Sequence, residues 1–487
     1  MYIHPMRRGL PPASSVLSAC TLVLVAALLG GCAFAPDTSR SIAPEGPLVS
    51  PQWRAPMVDQ PVANEVQLAH WWRVFNDADL SALIQQALVS HTSVRSAQAA
   101  LAQARAQRDA SAASLLPAVR ASGSVQRAQA GEAAPATVFR AGLDASWEAD
   151  VFGVRRHALS AADADLTAST AQLGQARISL AAEVALTYLD WRAQQQRLRV
   201  AQDNLALQES ALYITQWRWQ AGLASQLDVD QSLTVVGQTR AAIPVLAAAA
   251  QQSRNALAVL TGQPPQADLA VSTSAPVPIA ERTLAVAIPA DTLRQRPDVQ
   301  AAEARLQAAT ARVAQAHAAR LPSLSLAGSL DWRSPRVSDL FDVAALTRAL
   351  VASWTASIWD GGALAAQQRV QAASLEQVRV SLDATVLTAL QEVEAALLAL
   401  QASQQRLYHL TAVAAAAANA EALARHRLAS GLIDVQTLLD TQRSRLNSES
   451  ELVSARASWS ADHVRLYKAL GGGWTPDTLQ HDRNTPP

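Results

Sequence analysis

Residues 139–151 read F-R-A-G-L-D-A-S-W-E-A-D-V, and residues 154–221, which follow almost at once, contain no proline and a single glycine, Gly174. The first stretch alternates. Phe139, Ala141, Leu143, Ala145, Trp147, Ala149 and Val151 share one parity, while Arg140, Asp144, Ser146, Glu148 and Asp150 share the other. A period of two marks a strand with two different faces. The second stretch is built of Ala, Gln, Arg and Leu, good helix formers, and at about 1.5 Å per residue a helix of that length reaches on the order of 100 Å. Any fold for this chain must accommodate a strand that leads straight into so long a helix.

The pattern occurs twice. A shift of 205 residues aligns Leu101 with Leu306, Leu116-Pro117 with Leu321-Pro322, and Gly123-Ser124 with Gly328-Ser329. Ser146-Trp147 matches Ser353-Trp354 at 207, and Gly222-Leu223 matches Gly431-Leu432 at 209. The order of elements is therefore shared, with short loop insertions between them. In the second half Leu324, Leu326, Gly328, Leu330 and Trp332 alternate with Ser323, Ser325, Ser329, Asp331 and Arg333, and residues 363–430 lack both Pro and Gly. Residues 117–126 and 350–358 alternate less cleanly, which predicts four strands in two hairpins, with loops near 128–137 and 334–348. Helix-forming runs at 80–115 and 298–320 precede the hairpins, each ended near a Leu-Pro. Each long helix stops at a glycine, Gly222 or Gly431, and about 40 helical residues follow, sent back antiparallel by a tight turn.

Composition excludes several functions. The chain has 487 residues, enough for roughly three ordinary domains or one extended architecture. Lys plus Arg and Asp plus Glu are both 40, so no basic excess points to nucleic acid. Lys468 is the only lysine, and no Walker A loop exists. The nine His form no H-E-x-x-H, no G-x-S-x-G occurs, and Gly471-Gly472-Gly473 follows a helix rather than a strand. No catalytic residue, metal ligand or cofactor site is predicted, and the chain does not read as an enzyme.

The N-terminus reads as an address. Arg7 and Arg8 precede an apolar run too short to span a bilayer stably, so residues 1–31 are expected to be a cleaved signal peptide. The run ends in Leu29-Gly30-Gly31-Cys32, which resembles the lipobox of bacterial lipoproteins and makes Cys32 the lipidated first residue, with Ala33 permitting outer-membrane sorting. Cys20 leaves with the signal, so no internal disulfide is expected. Residues 32–62 carry Pro36, Pro44, Pro47, Pro51, Pro56 and Pro61 and read as an extended tether.

Each alternating run has about the 9–11 residues that cross a bilayer as a tilted strand, and the mature chain shows no long uncharged apolar helix. An ordinary soluble sheet with one wet face gives the same alternation. If the strands do lie in lipid, four cannot close a barrel, so the barrel must be shared between protomers. The alanine-rich helices suit a hollow tube wet on two sides; a solid antiparallel coiled coil would explain them but not the inserted strands.

Three strings carry a closer resemblance: Y-K-A-L-G-G-G-W from Tyr467, I-P-A-D-T-L-R-Q-R-P-D-V from Ile288, and G-L-I-D-V-Q-T-L-L-D-T-Q-R from Gly431. The mature chain resembles the TolC-type outer-membrane lipoproteins of tripartite efflux pumps. The resemblance implies a mainly α fold with a membrane β-barrel portion: a homotrimer giving four strands per protomer to a 12-stranded barrel, continued into the periplasm as an α-helical barrel. It implies repeats at 63–270 and 271–474 and leaves 475–487 as a polar tail. It further implies passive export of small toxic solutes delivered by an inner-membrane RND pump and a periplasmic adaptor, in contact with outer-membrane lipid and with no cofactor beyond the covalent lipid. The periplasmic mouth maps onto the turns Gly222-Leu223-Ala224-Ser225 and Gly431-Leu432-Ile433-Asp434, with Gly222, Leu223, Ser225, Gly431 and Leu432 as adaptor contacts. Asp440 matches an aspartate that narrows the mouth and Arg443 an arginine beside it; Gln436 stands where an apolar gate residue can occur. Asp228, near the first turn, is a lumen candidate with Asp230. A solvated Asp440–Arg443 pair is the plainer reading of those two residues, and Trp71-Trp72 reads as packing. A duct for type I protein secretion and a structural periplasmic coiled-coil lipoprotein are the competing functions.

Overall fold

The computed structural model describes Trp53 and residues 68–129, 131–132, 134–272, 275–280 and 289–474. The signal peptide, Cys32, the tether apart from Trp53, and the tail at 475–487 lie outside these residues.

Each half runs helix, helix, strand, strand, long helix, returning helix. The first half holds α1 (Ala78–Ser90), α2 (Thr92–Ala113), β1 (Ala118–Ala128), β2 (Ala136–Ala149), α3 (Val154–Gln220) and α4 (Gln226–Leu260). The second holds α5 (Pro289–Gln295), α6 (Pro297–Ala318), β3 (Ser323–Ser334), β4 (Leu346–Thr355), α7 (Ala363–Ala429) and α8 (Val435–Ala469). The long helices are 67 residues each and the returning helices 35 each. From Gly153 onward every boundary recurs 209 residues later. Gly153 and Gly362 precede the long helices at φ 87°, Gly222 and Gly431 follow them at φ 72°, and Gly262 and Gly471 follow the returning helices at φ 76° and 77°. Side chains disfavour this left-handed backbone, so the glycines set where each helix begins and ends.

The helix expected at 80–115 is two helices. The chain breaks at His91, which is extended at ψ 140° and whose ring Nδ1 accepts the backbone N–H of Ser93 at 3.2 Å. The second half breaks at the matching place, Arg296 at ψ 125°, where Pro297 disfavours a helical predecessor. Both breaks receive the end of a returning helix. A Cβ on Gly262 would lie 2.9 Å from Ser90 Cβ, and one on Gly471 would lie 3.2 Å from Arg296 Cα. In each half the chain kinks where a glycine docks.

The four strands form one antiparallel sheet in the order β1-β2-β3-β4. Register joins the alternation found in the sequence across all of them: Val119 faces Ala145, Ala145 faces Gly328, and Gly328 faces Leu350. The polar parity aligns likewise, through Arg120, Asp144, Ser329 and Ala349. One face is apolar and the other polar, yet neither is covered by the chain. β1 is exposed along its whole length, and Val119, Val125, Leu350 and Trp354 are all more than half exposed. A soluble sheet with one wet face would bury the other. β1 and β4 are open edges, and the chain contributes no fifth strand among the described residues.

The core lies beside the sheet, around the first part of α3. From Ala161 to Ala193 that helix is buried under α2, α4, α6 and α8. Trp71 and Trp72 belong to this core, at 0% and 3% exposure, with Trp71 5.5 Å from the Tyr467 ring, so the packing reading of that pair holds. Arg192, fully buried, binds the Tyr188 hydroxyl at 2.8 Å, Asp79 at 3.1 Å and the Ser272 carbonyl at 2.5 Å, and lies 4.5 Å from the Trp191 ring centre. It joins α1, α3 and the segment linking the halves. Trp53 packs separately on Val393, Leu400, Leu466 and Leu470. α4 is long and apolar enough to cross a membrane, because its run of Ala and Val carries few charges; in this fold it pairs with α3 instead.

Candidate functional site: the paired helical turns

Two turns that no residue among the described ones covers end the long helices. After α3, Gly222 N–H donates to Trp219 O at 2.9 Å and Leu223 N–H to Arg218 O at 2.7 Å; after α7, Gly431 N–H donates to Leu428 O at 3.0 Å and Leu432 N–H to Arg427 O at 2.9 Å. These are matching Schellman endings. Leu223 and Leu432 are 70% and 74% exposed. The returning helices start on different caps. Ser225 Oγ accepts Asp228 N–H at 3.2 Å, and the Asp228 carboxylate accepts Ser225 N–H at 2.8 Å, a full capping box. At the second turn Asp434 accepts Thr437 N–H at 2.8 Å and the Thr437 hydroxyl at 2.5 Å. That hydroxyl, with the backbone N–H, holds the Asp434 carboxyl below its ordinary value. Arg218 then reaches across and donates to Leu428 O at 2.7 Å, which sets the two turns side by side.

The residues singled out in the sequence divide into two groups here. Gln436, Asp440 and Arg443 share one exposed face of α8: Gln436 donates to both Asp440 oxygens at 3.2 and 3.3 Å, and Arg443 lies 3.4 Å from the same carboxylate. Asp228 is occupied by its cap, whereas Asp230 is exposed and accepts from Gln226 at 3.1 Å. Gly222, Leu223, Ser225, Gly431 and Leu432 all sit at the paired turns.

Above the turns the helices alternate between apolar and polar layers. Ala211, Val235, Leu428, Leu438 and Leu439 pack together first. The next layer is charged. Glu421, fully buried, meets Arg445 at 3.0 Å, Arg445 meets Glu449 at 2.8 Å, and Asn204 of α3 donates to Glu449 at 3.1 Å. Burial works against the Arg445 charge, but hydrogen bonds and charge from Glu449 and Glu421 more than offset it, and its pKa is raised. Sequence reasoning missed this layer. The i,i+4 spacings Glu421–Arg425 and Arg445–Glu449 are visible in the chain, but only packing brings α3, α7 and α8 to one point.

Among the described residues of the paired turns and the α8 face above them, the polar groups cap helices, pair with one another or face solvent. Comparisons give this arrangement a context. The chain is 32% identical over 477 residues to the toluene efflux pump outer membrane protein TtgC of Pseudomonas putida, covering 95% of this chain and 97% of that protein. It is 31% identical over 471 residues to the pyoverdine export outer membrane protein OpmQ of Pseudomonas putida, covering 94% and 98%. The solved structure of the outer-membrane channel OprN superposes with a TM-score of 0.78 at 32% identity, covering 88% of this chain and 99% of that one. A family model described as outer membrane efflux protein matches residues 83–263 and 288–472, one match in each half. The chain belongs to the outer membrane efflux protein family.

Proposed function

We propose that this protein is the outer-membrane duct of a tripartite efflux system, a lipoprotein held by acylated Cys32 and assembled as a homotrimer. The observation that carries the reading is the sheet: four register-matched strands, apolar on one side and polar on the other, buried on neither, with two open edges. Unpaired edges are not tolerated in hydrocarbon, and small closed barrels need about 8 strands or more, so copies must pool their strands; three give 12. The long helices then continue the wall into the periplasm. The paired turns at their far ends meet a periplasmic adaptor, which connects the duct to an inner-membrane RND pump. Gln436 and Asp440 ring the mouth with Arg443 close by. Three converging carboxylates repel unless paired or hydrated, and the Gln436 and Arg443 contacts lower that cost. The duct performs no chemistry on its cargo; it supplies width and polarity while the pump selects.

Heat-modifiable migration of the detergent-purified protein tests assembly, with a trimer expected before boiling and a monomer after. Deleting the gene should raise accumulation of at least one dye or antibiotic. A water-soluble monomer, or unchanged accumulation of every compound in a broad panel, overturns the proposal; the second result would favour protein secretion.

A further inference from the structure

Between α3, α4 and α8, directly above the paired turns, lies a groove of about 420 Å³. Its lining is mixed in character. Val235, Leu246 and Leu446 are apolar, while Gln208, Gln238, Arg443 and Asn447 bring amide and guanidinium groups to the same lining. No acidic side chain among the described residues lines it. Gln208 is the telling member. It is 2% exposed, and neither its amide nitrogen nor its amide oxygen has a hydrogen-bond partner within the chain. A buried amide with both ends unsatisfied is costly unless something else completes it, and Gln208 is among the residues that line the groove.

Arg443 belongs to the α8 stripe that runs Gln436, Asp440, Arg443, Asn447 at helical spacing. Its pairing with Asp440 is long at 3.4 Å, and both partners are about half exposed, so the guanidinium is only weakly held. Glu209, next to Gln208 in α3, is already bound to Arg240 at 2.5 Å and does not line the groove. What remains is a lining rich in hydrogen-bond donors, with one guanidinium and no carboxylate of its own, beside apolar side chains.

We propose that this groove is a subsite for amphipathic organic anions on the inner wall of the duct, just above its mouth. The assignment rests on the reading that the Asp440 face of α8 lines the duct. The anionic head meets Arg443 and Asn447, the Gln208 amide completes its hydrogen bonds on the solute, and the hydrocarbon part lies against Val235, Leu246 and Leu446. Such a site gives a solute that has cleared the mouth a brief hold inside the tube and favours anions over cations of equal size.

The test uses the full-length protein in lipid nanodiscs, with naphthalene-2-sulfonate as the anionic probe and 2-naphthylmethylammonium as its cationic counterpart, and with binding to empty nanodiscs subtracted. The sulfonate should bind saturably, about one per chain, and more tightly than the ammonium. Arg443→Gln should weaken the sulfonate about tenfold, the loss of one charged hydrogen bond, and leave the ammonium unchanged. Gln208→Leu should weaken the sulfonate roughly three- to tenfold. Arg443 is exposed, so its substitution keeps the test valid if Gln208→Leu fails to assemble, which heat-modifiable migration reports. Single-channel conductance of the same samples separates the two readings. A conducting wild type whose sulfonate binding ignores both substitutions, or that binds the two probes alike, overturns the groove and leaves the channel standing. A wild type that conducts nothing overturns the channel reading and the placement of the groove with it.

Discussion

α3 and α7 have the same length, the same opening and closing glycine geometry and the same kind of turn, yet they live in different environments. α3 is buried from Ala161 to Ala193, whereas α7 has no buried residue before Leu382. The difference comes from what docks on them. The C-terminal G-G-G-W lies on α3: a Cβ on Gly174 would sit 2.8 Å from the Trp474 ring, and one on Gly473 would sit 3.7 Å from Ile178. α7 is flanked mainly by α6 and α8, with α5 and Trp53 on its middle part, and its first turns stay uncovered. Duplicated local sequence thus yields duplicated local geometry, while burial depends on which neighbour arrives.

Substitutions at matching positions of α3 and α7 sharpen that contrast. The largest effect is expected at Arg192. Arg192→Met strands Asp79, Tyr188 and the Ser272 carbonyl around an apolar side chain, and should cost roughly 3–5 kcal/mol, toward the lower end because Asp79 keeps some contact with water. Its counterpart 209 residues on is Gln401, which is exposed, and Gln401→Met should change stability by less than about 0.5 kcal/mol. Thermal melting of the purified protein checks both, and equal losses would break the comparison. Next comes Gly174→Val, which forces the Trp474 ring off α3 and should cost about 1–3 kcal/mol, with near-UV circular dichroism reporting the displaced Trp. The same change at the matching Asp383, only partly buried, should be close to neutral.

The smallest effect appears only in acid. His463 in α8 is fully buried, and burial lowers its pKa, opposed by its hydrogen bond to the Trp459 carbonyl and by the charge of Asp462. The folded chain therefore holds this proton less well than the unfolded chain does. Stability from the neutral ring is complete above the ordinary imidazole value, about 6.5, and declines as pH falls from there through the lower folded value. The matching residue in α4 is Arg254, paired with Asp268 at 3.0 Å. His463→Gln should flatten the melting temperature between pH 7 and pH 5, and an unchanged slope would remove His463 as its cause.

The paired turns and the α8 face above them were legible in part. Gly222 and Gly431 announce their turns because a glycine closing a long uninterrupted helix has few other uses. Asp440 and Arg443 could be placed on one face from their spacing alone. The sequence did not show that the Asp228 carboxylate caps α4 through Ser225. Gln208 and Glu421 were invisible, because a polar residue on an alanine-rich helix looks solvated until a second helix covers it.

The sequence by itself determined the strands, their two faces, the internal repeat and the glycine-bounded helix lengths, since each follows from periodicity and backbone freedom over a few neighbouring residues. Tertiary structure alone decided the break at His91, where no proline forces it, because the end of α4 must seat Gly262 against Ser90. It also decided the burial of Arg192 and the charged layer around Glu421. Those depend on contacts between residues far apart in the chain, and no local pattern records which surfaces will meet.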